Sequence, residues 1–221
     1  MLKVEKISRF YSQRQAALHD ISFQVNKGEM VFIAGASGAG KTTLLRLLYL
    51  DDKPTSGNII LDKYDYKNLA GSQIPKLRRR IGVVFQDFRL IPDRTVAENV
   101  ALPLEVVGKS SKEIKRKTDE SLKLVGLWPK KNSFPGQLSG GEIQRTAVAR
   151  AIINDPLVLF ADEPTGNLDE HNARALFDLF KSLNVLGATI VVSTHRLDLA
   201  MEYGRRILRL ESGVLIDKGT I

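Results

Sequence analysis

Gly35-Ala36-Ser37-Gly38-Ala39-Gly40-Lys41-Thr42 fits the pattern G-x-x-x-x-G-K-[ST]. It follows Met30 to Ala34, a continuous apolar run of strand length. It precedes Thr42 to Leu50, which reads as a helix. A buried strand, a glycine-rich turn and a helix start, in that order, point to a parallel α/β core. The turn also sets a chemistry. Glycines let successive backbone N–H groups point into one concavity, and the helix adds its positive end. Lys41 is expected to reach the β- and γ-phosphates of a nucleotide, with Gly35 to Gly40 and Thr43 around them. The Thr42 hydroxyl is expected to bind Mg²⁺.

Leu157-Val158-Leu159-Phe160-Ala161-Asp162-Glu163 supplies a second half for such a site. A buried strand delivers two carboxylates at its C-terminal end, where ligands sit in α/β sheets. Asp162 is expected to hold the Mg²⁺ through water, and Glu163 to activate the attacking water.

Other short apolar runs read as strands: Leu2 with Val4, Ile21 to Val25, Ile59 to Leu61, Ile81 to Phe85, Thr189 to Val192, Ile207 to Leu210 and Val214 to Ile216. Glu211-Ser212-Gly213 reads as a hairpin turn. Between Asp87 and Asp155 the pattern turns helical, with Ile114, Thr118, Leu122 and Val125 spaced for one helix face. The expectation is one α/β domain over 1–221, in which 1–86 and 156–221 form the core and 87–155 a helical insertion.

The charge is +8, in bursts at Lys76 to Arg80, Lys112 to Lys117, Lys130-Lys131 and Arg205-Arg206. A basic surface suits nucleic acid or an anionic membrane face. There is no cysteine, which excludes thiolate chemistry and disulfides. No apolar run approaches the ~20 residues of a membrane-spanning helix. Charges within Met1 to Lys6 argue against a signal peptide. His19 and His171 have no metal-ligand set near them and read as surface residues.

A guanine-reading N-K-x-D segment is missing, and no lid or acceptor pocket of a small-molecule kinase is identifiable. Leu138-Ser139-Gly140-Gly141-Glu142 is present instead, before a helical run from Glu142 to Ile153. S-x-x-E is a capping box, and a capped helix with glycines at its mouth suits an anion.

With these elements the chain resembles the ATP-binding subunits of ABC transporters over essentially its whole length. Gly35 to Thr42 is similar to the family's Walker A loop, Val158 to Asp162 to Walker B, and Leu138 to Glu142 to the signature. Gln86 resembles the Q-loop glutamine, Asn167-Leu168-Asp169 the D-loop, and His195 the switch histidine. Tyr11, beside Phe10, resembles the aromatic that stacks on adenine. The resemblance implies a P-loop NTPase (RecA-like) core with an antiparallel β subdomain and an inserted α-helical subdomain. It implies ATP and Mg²⁺ as ligands, with Thr42, Gln86 and Asp162 at the metal and Glu163, Gln86 and His195 in catalysis. It further implies a head-to-tail homodimer in which Ser139, Gly140, Gly141 and Glu142 act on the other copy's ATP.

Within that family, F-Q-D-F-R-L-x-x-D-R-T-V from Phe85 to Val96 is similar to the FtsE cell-division branch. Leu77 to Gly82 is similar too. The branch implies an FtsX-like integral membrane partner, control of peptidoglycan hydrolysis, and a place on the cytoplasmic membrane face at the division septum. The lipoprotein-release and drug-export branches, LolD and MacB, are the alternative. A soluble DNA- or ribosome-acting member would carry two ATPase halves or a long coiled coil, for which 221 residues leave no room. A C-terminal regulatory domain is likewise not expected beyond Ile221.

Overall fold

The computed structural model describes residues 1–12, 15–166, 168–204 and 206–217. Asn167 and Arg205, named above, lie outside the described residues, as do the last four positions of the expected domain.

The chain opens with a hairpin, β1 (Leu2–Ser12) and β2 (Gln15–Val25), which pairs Leu2 with Val25 and Val4 with Phe23. Both strands run longer than the sequence pattern indicates. The reason is a bulge. Register shifts between Val4 and Ile7, and Lys6 has a positive φ of 48°. The extra residue re-phases the alternation, so Leu2, Val4 and Ile7 all bury on one face. His19 lies inside β2 and is exposed. β4 (Ser56–Leu61) and β5 (Tyr64–Asp65) complete an antiparallel sheet in the order β2-β1-β4-β5.

The larger sheet contains β3 (Met30–Ala34), β6 (Ile81–Val84), β7 (Val158–Asp162), β8 (Ile190–Thr194), β9 (Ile207–Glu211) and β10 (Val214–Asp217). Its order is β10-β9-β3-β8-β7-β6, parallel except for the β9–β10 pair. Every residue of β3, β7 and β8 is buried, which explains their unbroken apolar runs.

Alternate residues of these strands feed two cores. Val31, Ile33, Phe160 and Val191 pack with Leu44, Leu45 and Leu48 of α1 (Lys41–Leu48) and with Leu2 and Ile21 of the small sheet. Phe32, Leu159 and Val192 pack on the other side with Val100 and Leu104 of α3 (Val96–Val106), Val148 of α5 (Gly140–Ile152) and Phe177 of α6 (Glu170–Val185). The Phe32 and Phe177 ring centroids are 5.5 Å apart. A short α2 (Ile74–Arg78) leads into β6, and α7 (Leu197–Tyr203) follows β8.

Three helices lie between β6 and β7: α3, α4 (Ser111–Leu124) and α5. The face predicted for α4 is the one it buries, through Thr118 and Leu122, with Ile114 partly buried. Val125, at the C-cap, is buried too.

Register places the functional loops. Ala34 lies beside Thr194, and Asp162 beside Ser193. The turn at Gly35, the carboxylate of Glu163 and the ring of His195 therefore leave one sheet edge side by side.

Candidate active site

The loop after β3 closes on the start of α1. Gly40 is the N-cap, at φ 103°. A Cβ there would also stand 2.6 Å from the Ala17 carbonyl. Glycine is required on both counts. Lys41 is the first helical residue and is buried. Its Nζ donates to the Gly35 carbonyl at 2.7 Å and the Ala36 carbonyl at 2.9 Å. It also stands 2.9 Å from Glu163 Oε1.

Glu163 follows β7 with a φ of 46°, in the left-handed region that non-glycine residues seldom adopt. Its N–H donates to Ser193 Oγ at 2.9 Å. Its Oε2 accepts from the His195 N–H at 3.2 Å and stands 2.7 Å from His195 Nδ1. A carboxylate oxygen accepts, so Nδ1 donates to it.

Asp162 is buried and accepts from two hydroxyls, Ser193 Oγ at 2.7 Å and Thr42 Oγ1 at 3.2 Å. Burial pushes its carboxyl up from the ordinary value, and the two hydroxyls oppose that shift. Hydroxyl, carboxylate and amide oxygens are the donors that a hard cation such as Mg²⁺ takes. Thr42, Asp162 and the Gln86 amide fit that description. Among the described residues there is no cluster of three His, Asp or Glu of the kind that holds zinc.

Lys41, Thr42, Thr43, Gln86, Glu163 and His195 line one cleft of about 720 Å³ with Ser37, Gly38 and Gly40. Tyr11 lines its far end; Arg9 lies over the Tyr11 ring, 4.9 Å from the centroid. Phe10 is not among the lining residues and packs edge-on against His19. Gly35 and Ala36 take part through their carbonyls, and Ala39 is buried beneath the loop.

The sequence reading missed Ser193, Ala17, Gly166, Ser212 and Gly213. Ser193 is a buried strand residue whose meaning depends on its register beside Asp162. Ser212 and Gly213 form the expected hairpin turn, which also lines the cleft; the Gly213 N–H donates to the Ala39 carbonyl at 3.0 Å.

Ser139, Gly140, Gly141 and Glu142 do not line this cleft. Ser139 caps α5: its Oγ accepts from the Glu142 N–H at 3.3 Å, and Glu142 Oε2 accepts from the Ser139 N–H at 2.8 Å. That reciprocal bond holds the Glu142 carboxyl below its usual range. A Cβ on Gly141 would meet Asn172 Oδ1 of α6 at 2.5 Å, so glycine lets the two helices touch. Asp169 caps α6 and accepts from the Asn172 N–H at 2.8 Å. The signature and the D-loop are thus neighbours.

The segment after Gln86 is held from two sides. Phe88 and Arg89 both have positive φ, 57° and 49°. Arg150 of α5 donates to their carbonyls at 2.5 and 2.6 Å. Buried Asn99 accepts from the Ile91 N–H at 2.8 Å and donates to the carbonyls of Ile91, Arg94 and Thr95 at 2.9 to 3.0 Å. Thr95 caps α3 in a second capping box with Glu98. Phe88 and Leu90 pack against the core, as their apolar character alone suggests. Beside this segment runs a groove lined by Tyr49, Arg78, Arg79, Phe85, Arg89 and Val106.

Residues 18–166 match the family described as ABC transporter. The cell division ATP-binding protein FtsE of Mycobacterium tuberculosis is 45% identical over 98% of this chain and 94% of its own length. FtsE of Escherichia coli K12 is 43% identical over 97% of both chains. Among solved structures, the dimeric ATP-binding cassette MJ0796 bound to ADP and Pi aligns with a TM-score of 0.89 at 37% identity, covering 100% of this chain and 98% of its own. The protein cbiO1 of Clostridium perfringens, part of the ABC transporter complex cbiONQ, gives a TM-score of 0.92 at 32% identity, covering 99% of this chain and 88% of its own.

Proposed function

The chain belongs to the ABC transporter family and is an ATP-hydrolysing cassette of it; on that premise we propose that it powers an FtsE-type cell-division complex. What carries the cell-division reading is the 45% identity to FtsE over 98% of the chain. Its membrane partner is FtsX-like, and the complex switches peptidoglycan hydrolysis at the septum. No helix among the described residues is long and apolar enough to cross a membrane, so attachment runs through the partner. The groove beside Gln86, with Arg78, Arg79 and Arg89 on its rim, is the surface that partner meets.

The residues divide the work as follows. Tyr11 stacks on adenine with the face that Arg9 does not cover. Lys41 exchanges Glu163 for the phosphates, because a phosphate competes for the same ammonium. Backbone N–H groups from Ser37 to Thr43 cradle the phosphate oxygens. Thr42, Asp162 and Gln86 would hold Mg²⁺, which neutralises charge on the phosphoryl oxygens when bound.

Glu163, released from Lys41, takes the proton of the water that attacks the γ-phosphorus, while the bond from that phosphorus to the β–γ bridging oxygen breaks and ADP leaves. His195 keeps the carboxylate oriented through the Nδ1 bond; a hydrogen on Nε2 as well would let that nitrogen donate to the γ-phosphate. Ser139 and Gly141 lie away from their own cleft and serve the γ-phosphate held by a second copy. The nucleotide then joins two subunits head to tail, and phosphate loss separates them.

The test is to tag the Glu163→Gln chain, extract it from native membranes with ATP and Mg²⁺, and sequence what co-purifies. An FtsX-like protein is expected. A lipoprotein- or drug-export permease would overturn the cell-division reading and leave the ATP chemistry in place.

A further inference from the structure

Gln144 lies on α5, five residues past Ser139, and is fully buried. Its Nε2 donates to the carbonyl of Pro164, the residue next to Glu163. Its Oε1 has no hydrogen-bond partner among the described residues. A half-paired buried amide is costly, and methionine would fill the same volume without an orphaned acceptor. Ala147 and Val148 on the same helix are ordinary core residues. Turning the amide over would set oxygen against oxygen, so the donor end must face Pro164.

The turn it holds is an unusual one. Glu163 sits at φ 46°, a conformation that persists only where the surroundings enforce it. Ser193 secures one side, accepting the Glu163 N–H at Oγ (2.9 Å) and at its carbonyl (3.2 Å). The Gly166 N–H secures the turn itself, donating to the Glu163 carbonyl at 3.1 Å. Gln144 secures the remaining side, and it does so from the helix that Ser139 caps. A helix transmits displacement as a rod, and Ser139 and Gln144 are about 7.5 Å apart along it.

We propose that Gln144 is a positioning residue for hydrolysis: by pinning the Pro164 carbonyl it sets the Glu163 carboxylate and ties it to the helix that begins at Ser139. The proposal rests on the reading of Glu163 as general base.

The test uses the full chain with Gln144→Met, which keeps volume and removes the donor. Gln144→Glu is the second variant, placing a carboxylate oxygen against the carbonyl. Expected for Gln144→Met are a kcat lower by about ten- to hundredfold, as for a slightly misplaced catalytic group, with KM for ATP and melting temperature near wild type. Gln144→Glu is expected to lose kcat likewise but with a lower melting temperature, since its buried carboxyl is unpaired. In a Glu163→Gln background, Gln144→Met is expected to remove nothing further. Unchanged kcat, a loss confined to KM, or a multiplied loss in the double variant would overturn the proposal. Failure of both variants to fold would make Gln144 a structural residue and overturn it as well. Normal turnover by Glu163→Gln would instead overturn the general-base reading, and the positioning role with it.

Discussion

Glu163 bridges two nitrogens of the site: one carboxylate oxygen stands 2.9 Å from Lys41 Nζ and the other 2.7 Å from His195 Nδ1. On the proposed reading, in which Glu163 is the base and Lys41 binds the phosphates, the carboxylate and the nucleotide compete for one ammonium. A γ-phosphate that claims Lys41 frees the carboxylate beside the water it must deprotonate. Binding and activation become one event, because the same contact is given up for both.

Glu163→Gln tests that coupling. The amide keeps the shape but cannot take a proton, so turnover is expected to fall by at least about a hundredfold. ATP affinity is expected to hold or rise, since Lys41 no longer has a carboxylate to leave. ATP-bound dimers then accumulate, read by size-exclusion chromatography with ATP and Mg²⁺. Normal turnover would remove Glu163 from the role of base.

Ser139 caps α5 and, in the proposed dimer, serves the partner's γ-phosphate; a single change separates the two roles. Ser139→Asp keeps an N-cap acceptor at a helix start that favours negative charge, so melting temperature is expected to stay close to wild type. The added charge would face the partner's γ-phosphate. The ATP-dependent dimer is expected to disappear while monomer ATP binding remains. A normal ATP-dependent dimer would argue against the contact in trans.

The capping box also gives a pH dependence. The Ser139 N–H holds the Glu142 carboxyl below its unfolded value. A depressed pKa contributes stability fully above the unfolded value, about 4.3, and loses it as pH falls through the folded one. Glu142→Gln keeps the capping geometry without the charge. The melting-temperature gap between wild type and this variant is expected at neutral pH and to close as pH drops below about 4. A gap that persists in acid would assign it to packing.

The parts of this molecule legible in the sequence are those whose chemistry is local. Gly35 to Thr42 declares itself because cradling a phosphate needs glycines, a lysine and a hydroxyl at fixed offsets. Met30 to Ala34 and Leu157 to Ala161 declare themselves because doubly covered strands need unbroken apolar runs. Ser193 stays invisible because its partner, Asp162, is set by strand register. Lys6 hides the length of β1 because one bulged residue breaks the alternation. Asn99 reads as a helix residue until its four bonds to the Ile91–Thr95 loop are seen. Gln144, a polar residue in a signature helix, gives no sign of reaching Pro164.

Arg150 makes the last case, and on the proposed reading of the groove it bears on coupling to the membrane partner. Its guanidinium fork holds two consecutive carbonyls, Phe88 and Arg89, in a turn whose φ values of 57° and 49° disfavour both side chains. Burial lowers its pKa, yet from so high a starting value the group stays charged and keeps its donors. Arg150→Met would leave the two carbonyls unpaired and let the turn relax toward negative φ. Arg89 would then leave its place over the Phe85 ring, now 4.1 Å from the centroid, and the groove rim would lose its shape. Affinity for the membrane partner is expected to fall by about tenfold or more, since both hydrogen bonds from the charged fork that shape the groove are lost. ATP affinity is expected to stay within about twofold, since Arg150 does not line the nucleotide cleft. Arg150→Lys is expected not to restore partner binding, because one ammonium lacks the planar fork that serves two carbonyls. Pull-down of the membrane partner against nucleotide titration, for both variants, separates these outcomes. Equal losses of partner and nucleotide binding would show that the turn supports the fold as a whole and not the groove.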